Sequence, residues 1–297
     1  RGARLPCAVT AVHDHPDLGQ TRSRPGGRFD LVVNGGGVVT LEYHREDFLA
    51  AHRRLDLGWQ EFVEIEDVAL VRADPVVTTI LLAAMTEPIA ARSSLTADER
   101  GERQTTVLFP PGTTATMEMP DGTLQPLEEL HVRLTEYTVG SNGPNSMPSG
   151  LPVTSAYTFA FEATVEEAVA AGARSVHFDP PVPGYVENFL ELPTGIAVPF
   201  GYYDRERAVW VPSPDGRVIR VVAIEEGLAA VALAADEEPA SEEELAAEGF
   251  TDGERRRLAT LYAPGASLWR VRMPHFSPCD WNFSWGAPLS AIWPRNP

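Results

Sequence analysis

The stretch RFDLVVNGGGVVTLEYH, residues 28–44, places apolar side chains at every second position on both sides of a turn signal. Phe29, Leu31 and Val33 fall on one face of an extended chain, and Val39, Leu41 and Tyr43 do the same after the turn. Asn34 and the three glycines behind it tolerate positive φ, which tight hairpin turns require. A period of two predicts strands, so the two runs read as a β-hairpin. HRRLDLGWQEFVEIEDVALVRA, residues 52–73, reads as two further strands broken near Gly58 and Trp59. Residues 1–75 are therefore expected to form a small antiparallel β-sandwich.

The alternation fades and then returns. Residues 76–104 hold a short apolar run, VTTILLAAM, and a polar run rich in Ser, Thr and Gly, and read as an exposed connector. From Thr105 strand-like runs recur between turns such as Pro110-Pro111-Gly112, Asp121-Gly122 and Pro180-Pro181, so residues 105–225 are expected to form a second β-sandwich. Thr164 with Glu167 reads as a capping box for a short helix that stops at Gly172. Within 197–222 the pattern reads as a meander: strand, turn after Asp204, strand, turn at Pro214-Asp215-Gly216, strand. Residues 226–297 change character: an acidic helical segment, with capping boxes at Ser241/Glu244 and Thr251/Glu254 and an apolar stripe at Leu258 and Leu261, then a strand and an aromatic-rich loop.

Composition narrows the function classes. The chain has 297 residues, 43% hydrophobic, enough for two packed domains. Lys+Arg number 24 against 42 Asp+Glu, a net charge of −18, and no lysine occurs. Such an acidic surface repels phosphate backbones and anionic lipid, so neither a nucleic-acid partner nor membrane insertion is expected. The Arg-only usage points to a GC-rich bacterial source. Cys7 and Cys279 sit near opposite ends in no CxxC spacing, and are expected to be free thiols. The chain begins at Arg1 and ends in AIWPRNP, and reads as a piece of a longer exported protein.

A search for chemistry finds little. Gly35-Gly36-Gly37 lacks the Gly-Lys-Ser/Thr ending of a phosphate loop, and a strand follows it. His13 and His15 would share a strand face, as a zinc pair requires, but the following HPDLG reads as a turn; they are weak metal candidates. His44, His52, His131 and His177 read as sheet-face histidines. His275, Cys279 and Asp280 are the one cluster that invites a thiol mechanism, without a helix to lower the thiol pKa. Glu187-Asn188 lies between apolar residues, and Asn188 is expected to close a turn. No catalytic residue and no cofactor is assigned.

Longer strings carry a resemblance. Residues 27–74, with Gly27-x-Phe29-Asp30, the Asn34–Gly37 turn, Tyr43 and Trp59, resemble the end of the transthyretin-like (carboxypeptidase-regulatory-like) domain of teneurins and bacterial RHS/YD-repeat proteins. LFPPGTTATM, LHVRLTEYTVGSNGPNSMP, the run from Pro181 to Val222, and LATLYAPGASLWRVRMPHFSPCDWN are similar to the fibronectin-like plug that precedes the repeats in those proteins. At Cys279-Asp280-Trp281 the family order is exchanged, so no role passes to Cys279. LAADEEPASEEELAAEG stands where relatives are rich in Gly and Asp, and no calcium site is carried over. Tyr203-Asp204 and Asp215-Gly216-Arg217 share the vocabulary of a YD repeat, but no second copy exists, and a lone unit builds no shell.

The resemblance implies a non-catalytic role: a plug closing one end of a YD-repeat β-shell of the same polypeptide, in a secreted or surface-bound bacterial protein whose shell encloses a toxin or serves adhesion. It predicts an exposed aromatic patch for shell contact, with Tyr185, Phe189, Phe200, Tyr202, Tyr203, Trp269, Trp281 and Trp285 as candidates. The alternatives are an extracellular adhesion or carbohydrate-binding β-sandwich with an open aromatic platform, and an enzyme using the His275–Cys279–Asp280 cluster.

Overall fold

The computed structural model describes residues 3–34 and 36–284. Its first sheet contains β1 (Val9–Val12), β2 (Gln20–Arg22), β3 (Gly37–His44) and β4 (Ala51–Leu57), in the antiparallel order β2-β1-β3-β4. Val12, Leu41, Tyr43 and Ala51 form its core. The alternation in 28–34 is real, since Phe29, Leu31 and Val33 all pack on that core. The expected hairpin is not formed. Both edges of β3 are taken, by β1 (Val12 opposite Leu41) and by β4 (Gly37 opposite Leu57). Residues 28–34 cover the core instead, tied down by the Asn34 amide donating to the Leu18 carbonyl. Side-chain period reports the buried face; it does not choose the ladder partner. Likewise the second strand expected within 59–73 is extended chain, carrying Ile65, Val68 and Leu70 into the core.

Residues 76–104 are not an exposed connection. They supply β5 (Thr78–Leu81), β6 (Ile89–Arg92), β7 (Thr96–Asp98) and β8 (Gly101–Arg103). The polar letters mislead because they satisfy one another. Fully buried Arg103 donates to both Asp98 oxygens at 2.9 and 2.8 Å and to Glu136 at 2.8 Å.

The strands continue with β9 (Thr106–Phe109), β10 (Thr114–Glu118), β11 (Leu124–Leu127), β12 (Glu129–Glu136), β13 (Ala160–Val165) and β14 (Ser175–Glu187). Then follow β15 (Ala197–Asp204), β16 (Val209–Glu225), β17 (Leu228–Ala232), β18 (Ser267–Phe276) and β19 (Pro278–Asp280). Apart from the β7–β8 pair, all strands from β5 onward join one 13-stranded antiparallel sheet. The sheet curls almost closed, bringing β5 and β12 beside β6. Its interior is packed with Phe109, Phe159, Phe161, Trp269 and Trp281. The protein is thus mostly β, with two antiparallel modules in tandem and few, short helices.

Two expectations about connectivity are corrected here. The turn at Pro214-Asp215-Gly216 does not exist: β16 runs unbroken from Val209 to Glu225 and changes partners midway, from β15 to β18 and β17. Gly216 permits the crossing, because a Cβ there would lie 2.1 Å from the Arg270 carbonyl oxygen. The expected turn after Asp204 is present, closed by the Arg207 amide donating to Asp204 at 3.0 Å. Residues 267–280, expected to be a strand and then a loop, form β18, inserted between β14 and β16, and β19, between β13 and β15.

The helices are α1 (Glu166–Ala171), α2 (Glu242–Ala247) and α3 (Asp252–Leu261). Gly172 ends α1 in the left-handed conformation, as expected. Thr164 does not cap it: β13 runs through Thr164 to Val165, which takes the N-cap position, and Glu167 instead accepts from the His131 ring and amide. Ser241 and Glu244 form a full capping box. Thr251 caps α3, but Glu254 leaves the box and pairs with Arg270. No helix among the described residues is long and apolar enough to cross a membrane.

Candidate functional site

The aromatic candidates do not make a surface. Tyr185, Phe200, Tyr203, Trp269 and Trp281 are all buried in the chain's own cores, and Phe189 and Tyr202 are half-buried. Phe189 lies against Trp269, and Tyr202 against His275. Trp285 lies outside the described residues. The exposed patch expected for shell contact is therefore absent from these seven positions. Their letters report core: rings this large gain most by interior packing. The large apolar side chains that do face solvent include Trp59, 76% exposed, and Phe62, 90% exposed.

The thiol cluster is unsuited to nucleophilic chemistry. Cys279 is fully buried, and burial pushes its thiol pKa well up, away from the thiolate. Its Sγ faces the Ser277 carbonyl at 3.3 Å, and the His275 ring contacts the Ser277 hydroxyl at 3.2 Å. Cys7 and Cys279 are both free. Asn188 closes its turn as expected: Oδ1 accepts from the Leu192 amide at 3.0 Å and from the Trp269 indole at 2.8 Å.

What the chain does build is a polar seam between its two sheets. The start of β4 meets the second module, where the backbone and side chains of His52 and Arg53 reach across. The His52 amide donates to the Pro148 carbonyl at 2.7 Å. The Arg53 guanidinium donates to the carbonyls of Asn145 at 2.8 Å and Met147 at 3.1 Å. From the other side, Arg205 grips both Glu162 oxygens at 2.7 and 2.8 Å and reaches the Ala50 carbonyl at 3.3 Å. Glu162 also accepts from the buried Tyr137 hydroxyl. Beside these, Leu49 of the first module packs with Tyr137, Met147 and Ala160 of the second, flanked by Val71 and Trp210.

Three titratable groups gather at the edge of this seam. His13, directly after β1, meets Glu42 of β3, with Nδ1 3.2 Å from Oε2. The His52 ring of β4 lies beside it, tilted by 48°, with ring centroids 4.4 Å apart. His52 is buried, and its pKa is pushed down to about 3, first by desolvation and then by His13, Arg205 and Arg53, so the ring is neutral. Its Nδ1 lies 3.1 Å from the Tyr203 hydroxyl on β15. His15 is not part of the group: its side chain is 67% exposed and faces Asp17. Sequence reading found His13 but missed Glu42 and His52, because only the β1–β3–β4 register brings the three together.

Comparison with known proteins matches the first module to a described family. Residues 2–70 match the family described as Teneurin TTR-like domain. Similar relatives include Teneurin-1 of Gallus gallus, 42% identical over 66 residues, which are 22% of this chain and 2% of the relative. Teneurin-1 of Homo sapiens is 40% identical over 90 residues, 30% of this chain and 3% of the relative. Teneurin-m of Drosophila melanogaster is 44% identical over 52 residues, 18% of this chain and 2% of the relative. The chain thus spans a small fraction of the length of these relatives. No solved structure matches the chain. Residues 2–70, which hold the four-stranded sheet and its covering segments, are therefore similar to a teneurin TTR-like domain.

Proposed function

We propose that the chain is a non-catalytic structural unit of an extracellular or cell-surface protein of the RHS/YD-repeat type, in which the second module plugs one end of a YD-repeat β-shell of the same polypeptide. The observation that carries this reading is the seam: a teneurin TTR-like module is locked by buried polar contacts to a nearly closed, aromatic-filled β-module. A tightly packed interior suits a stopper better than a container. Shell contact is assigned to surfaces outside the buried aromatic set. In a second reading the exposed Trp59 and Phe62, with Gln60, Glu61 and Glu64 around them, form an adhesive platform.

One experiment addresses both readings. The segment encoded downstream of Pro297 is expected to contain tandem Y-D-x-x-G-R units and to co-purify with this chain when the two are expressed separately. A stop codon at that point, or no co-purification, sinks the plug reading. Trp59→Ser is expected to leave co-purification unchanged; loss of cell or glycan binding by that variant favours the adhesive reading.

A further inference from the structure

The His13–Glu42–His52 group offers more than one hydrogen bond. One donor atom from each residue lies within 4.8 Å of the other two. In a tetrahedral zinc site with bonds of about 2.0–2.2 Å, donors sit roughly 3.3–3.5 Å apart. The His13–Glu42 pair is already at that separation, at 3.2 Å, so closing the site requires only a small movement of the two neighbouring, tilted rings. The His13 ring is otherwise poorly satisfied. Its Nε2 is buried without a hydrogen-bond partner, though 3.5 Å from Asp14 Oδ2. With Nδ1 turned to Glu42 as the donor, that Nε2 is left for the Asp14 carboxylate, the kind of outer partner that orients a metal-bound imidazole.

The surroundings fit a metal as well as the donors do. Tyr203 holds Nδ1 of His52 and so leaves Nε2 to ligate; an outer hydrogen bond of this kind fixes the orientation of a metal-binding imidazole. The Glu42 side chain is 37% exposed, which gives an entry path and room for a solvent molecule in a fourth position. Two imidazoles and one carboxylate match zinc and its neighbours and disfavour calcium and magnesium, which take oxygen ligands.

We propose that His13, Glu42 and His52 form a site for a divalent transition-metal ion, zinc by its donor set, at the edge of the seam between the two modules. The ion would pin β1, β3 and β4 together and, through His52 and Tyr203, brace the first sheet against β15.

The test uses the full chain, stripped with a chelator and titrated with zinc alone by calorimetry, and with cobalt(II) by absorption. A single saturable site of micromolar or tighter affinity, a tetrahedral cobalt spectrum and a raised melting temperature are expected. His13→Ala and Glu42→Gln should each weaken binding by at least about tenfold and Tyr203→Phe by a similar factor, while His15→Ala should change nothing. Absence of saturable binding to the wild-type chain overturns the proposal, as does binding that survives His13→Ala or is lost with His15→Ala. The cobalt spectrum of the wild type needs no variant to fold, and Glu42→Gln alters a partly exposed side chain of β3, so a failure of any one variant leaves the outcome readable.

Discussion

Asp280 shows how one side chain can be set against the fold around it. It lies in β19, opposite Ala160 on one side and Gly201 on the other, and accepts from the Asn282 amide at 2.8 Å. Burial pushes its pKa up to about 6 from an ordinary 3.8, the Asn282 contacts opposing only part of that. The folded-state value lies above the unfolded one, so the fold favours the protonated acid. That stability is fully present below about pH 4 and is lost as pH rises through 6. Asp280→Asn, which keeps an acceptor and removes the charge, is expected to stabilise the protein at pH 8 by about 1–2 kcal/mol after discounting for partial solvent contact. At pH 4 it should add nothing. Urea denaturation at the two pH values checks both halves, and an equal gain at both would refute the assignment.

Among the elements, α2 and α3 are held by very different means. The Ser241–Glu244 box that starts α2 is exposed, and its loss should cost about 1 kcal/mol. α3 begins with a Thr251 cap, but its hold on the sheet is Glu254, which is buried. Arg270 of β18 donates to both Glu254 oxygens at 2.7 and 3.1 Å, the Tyr185 hydroxyl donates to one of them, and the guanidinium lies over the Phe250 ring at 3.7 Å. Removing one partner leaves a buried charge alone. Glu254→Ala is therefore expected to destabilise by about 3–5 kcal/mol, several times the effect of Ser241→Ala, in equilibrium unfolding followed by far-UV circular dichroism. Comparable losses for the two variants would mean that the pair is solvated.

At the scale of the whole molecule, the seam decides whether two modules behave as one body. Arg53 contributes two hydrogen bonds to carbonyls of the opposite module, His52 adds its amide, and the Trp210 indole donates to the Gly150 carbonyl at 2.9 Å behind them. The wild type is expected to unfold in one calorimetric transition. Arg53→Ala removes charge-assisted bonds worth about 1.5–3 kcal/mol each and should split that transition in two, with the four-stranded module melting first. A single transition in the variant would show that the remaining contacts, the His52 amide to Pro148, Arg205 to Ala50 and the Leu49–Met147 apolar contact, suffice to couple the modules.

Much of this protein was legible in its letters. Period-two runs predicted a mostly β chain. Leu41 and Tyr43 marked a buried face, Gly172 a helix stop, Ser241-x-x-Glu244 a capping box and Asn188 a closed turn, because each depends on neighbours within a few residues. The resemblance of residues 27–74 to a transthyretin-like module rested on the same local letters. Tertiary structure decided the rest, wherever the partner is distant in sequence. It filled both edges of β3 and so displaced 28–34 from the ladder, and it carried β16, with a register shift against β15, through a stretch whose proline and glycine suggested a turn. It drew Arg103 and Glu254 inside because charged partners 33 and 16 residues away satisfied them. It buried the aromatic rings that the resemblance had assigned to a contact surface. It also gathered His13, Glu42 and His52 from three strands, since sheet register, rather than spacing along the chain, sets which side chains share a few ångströms.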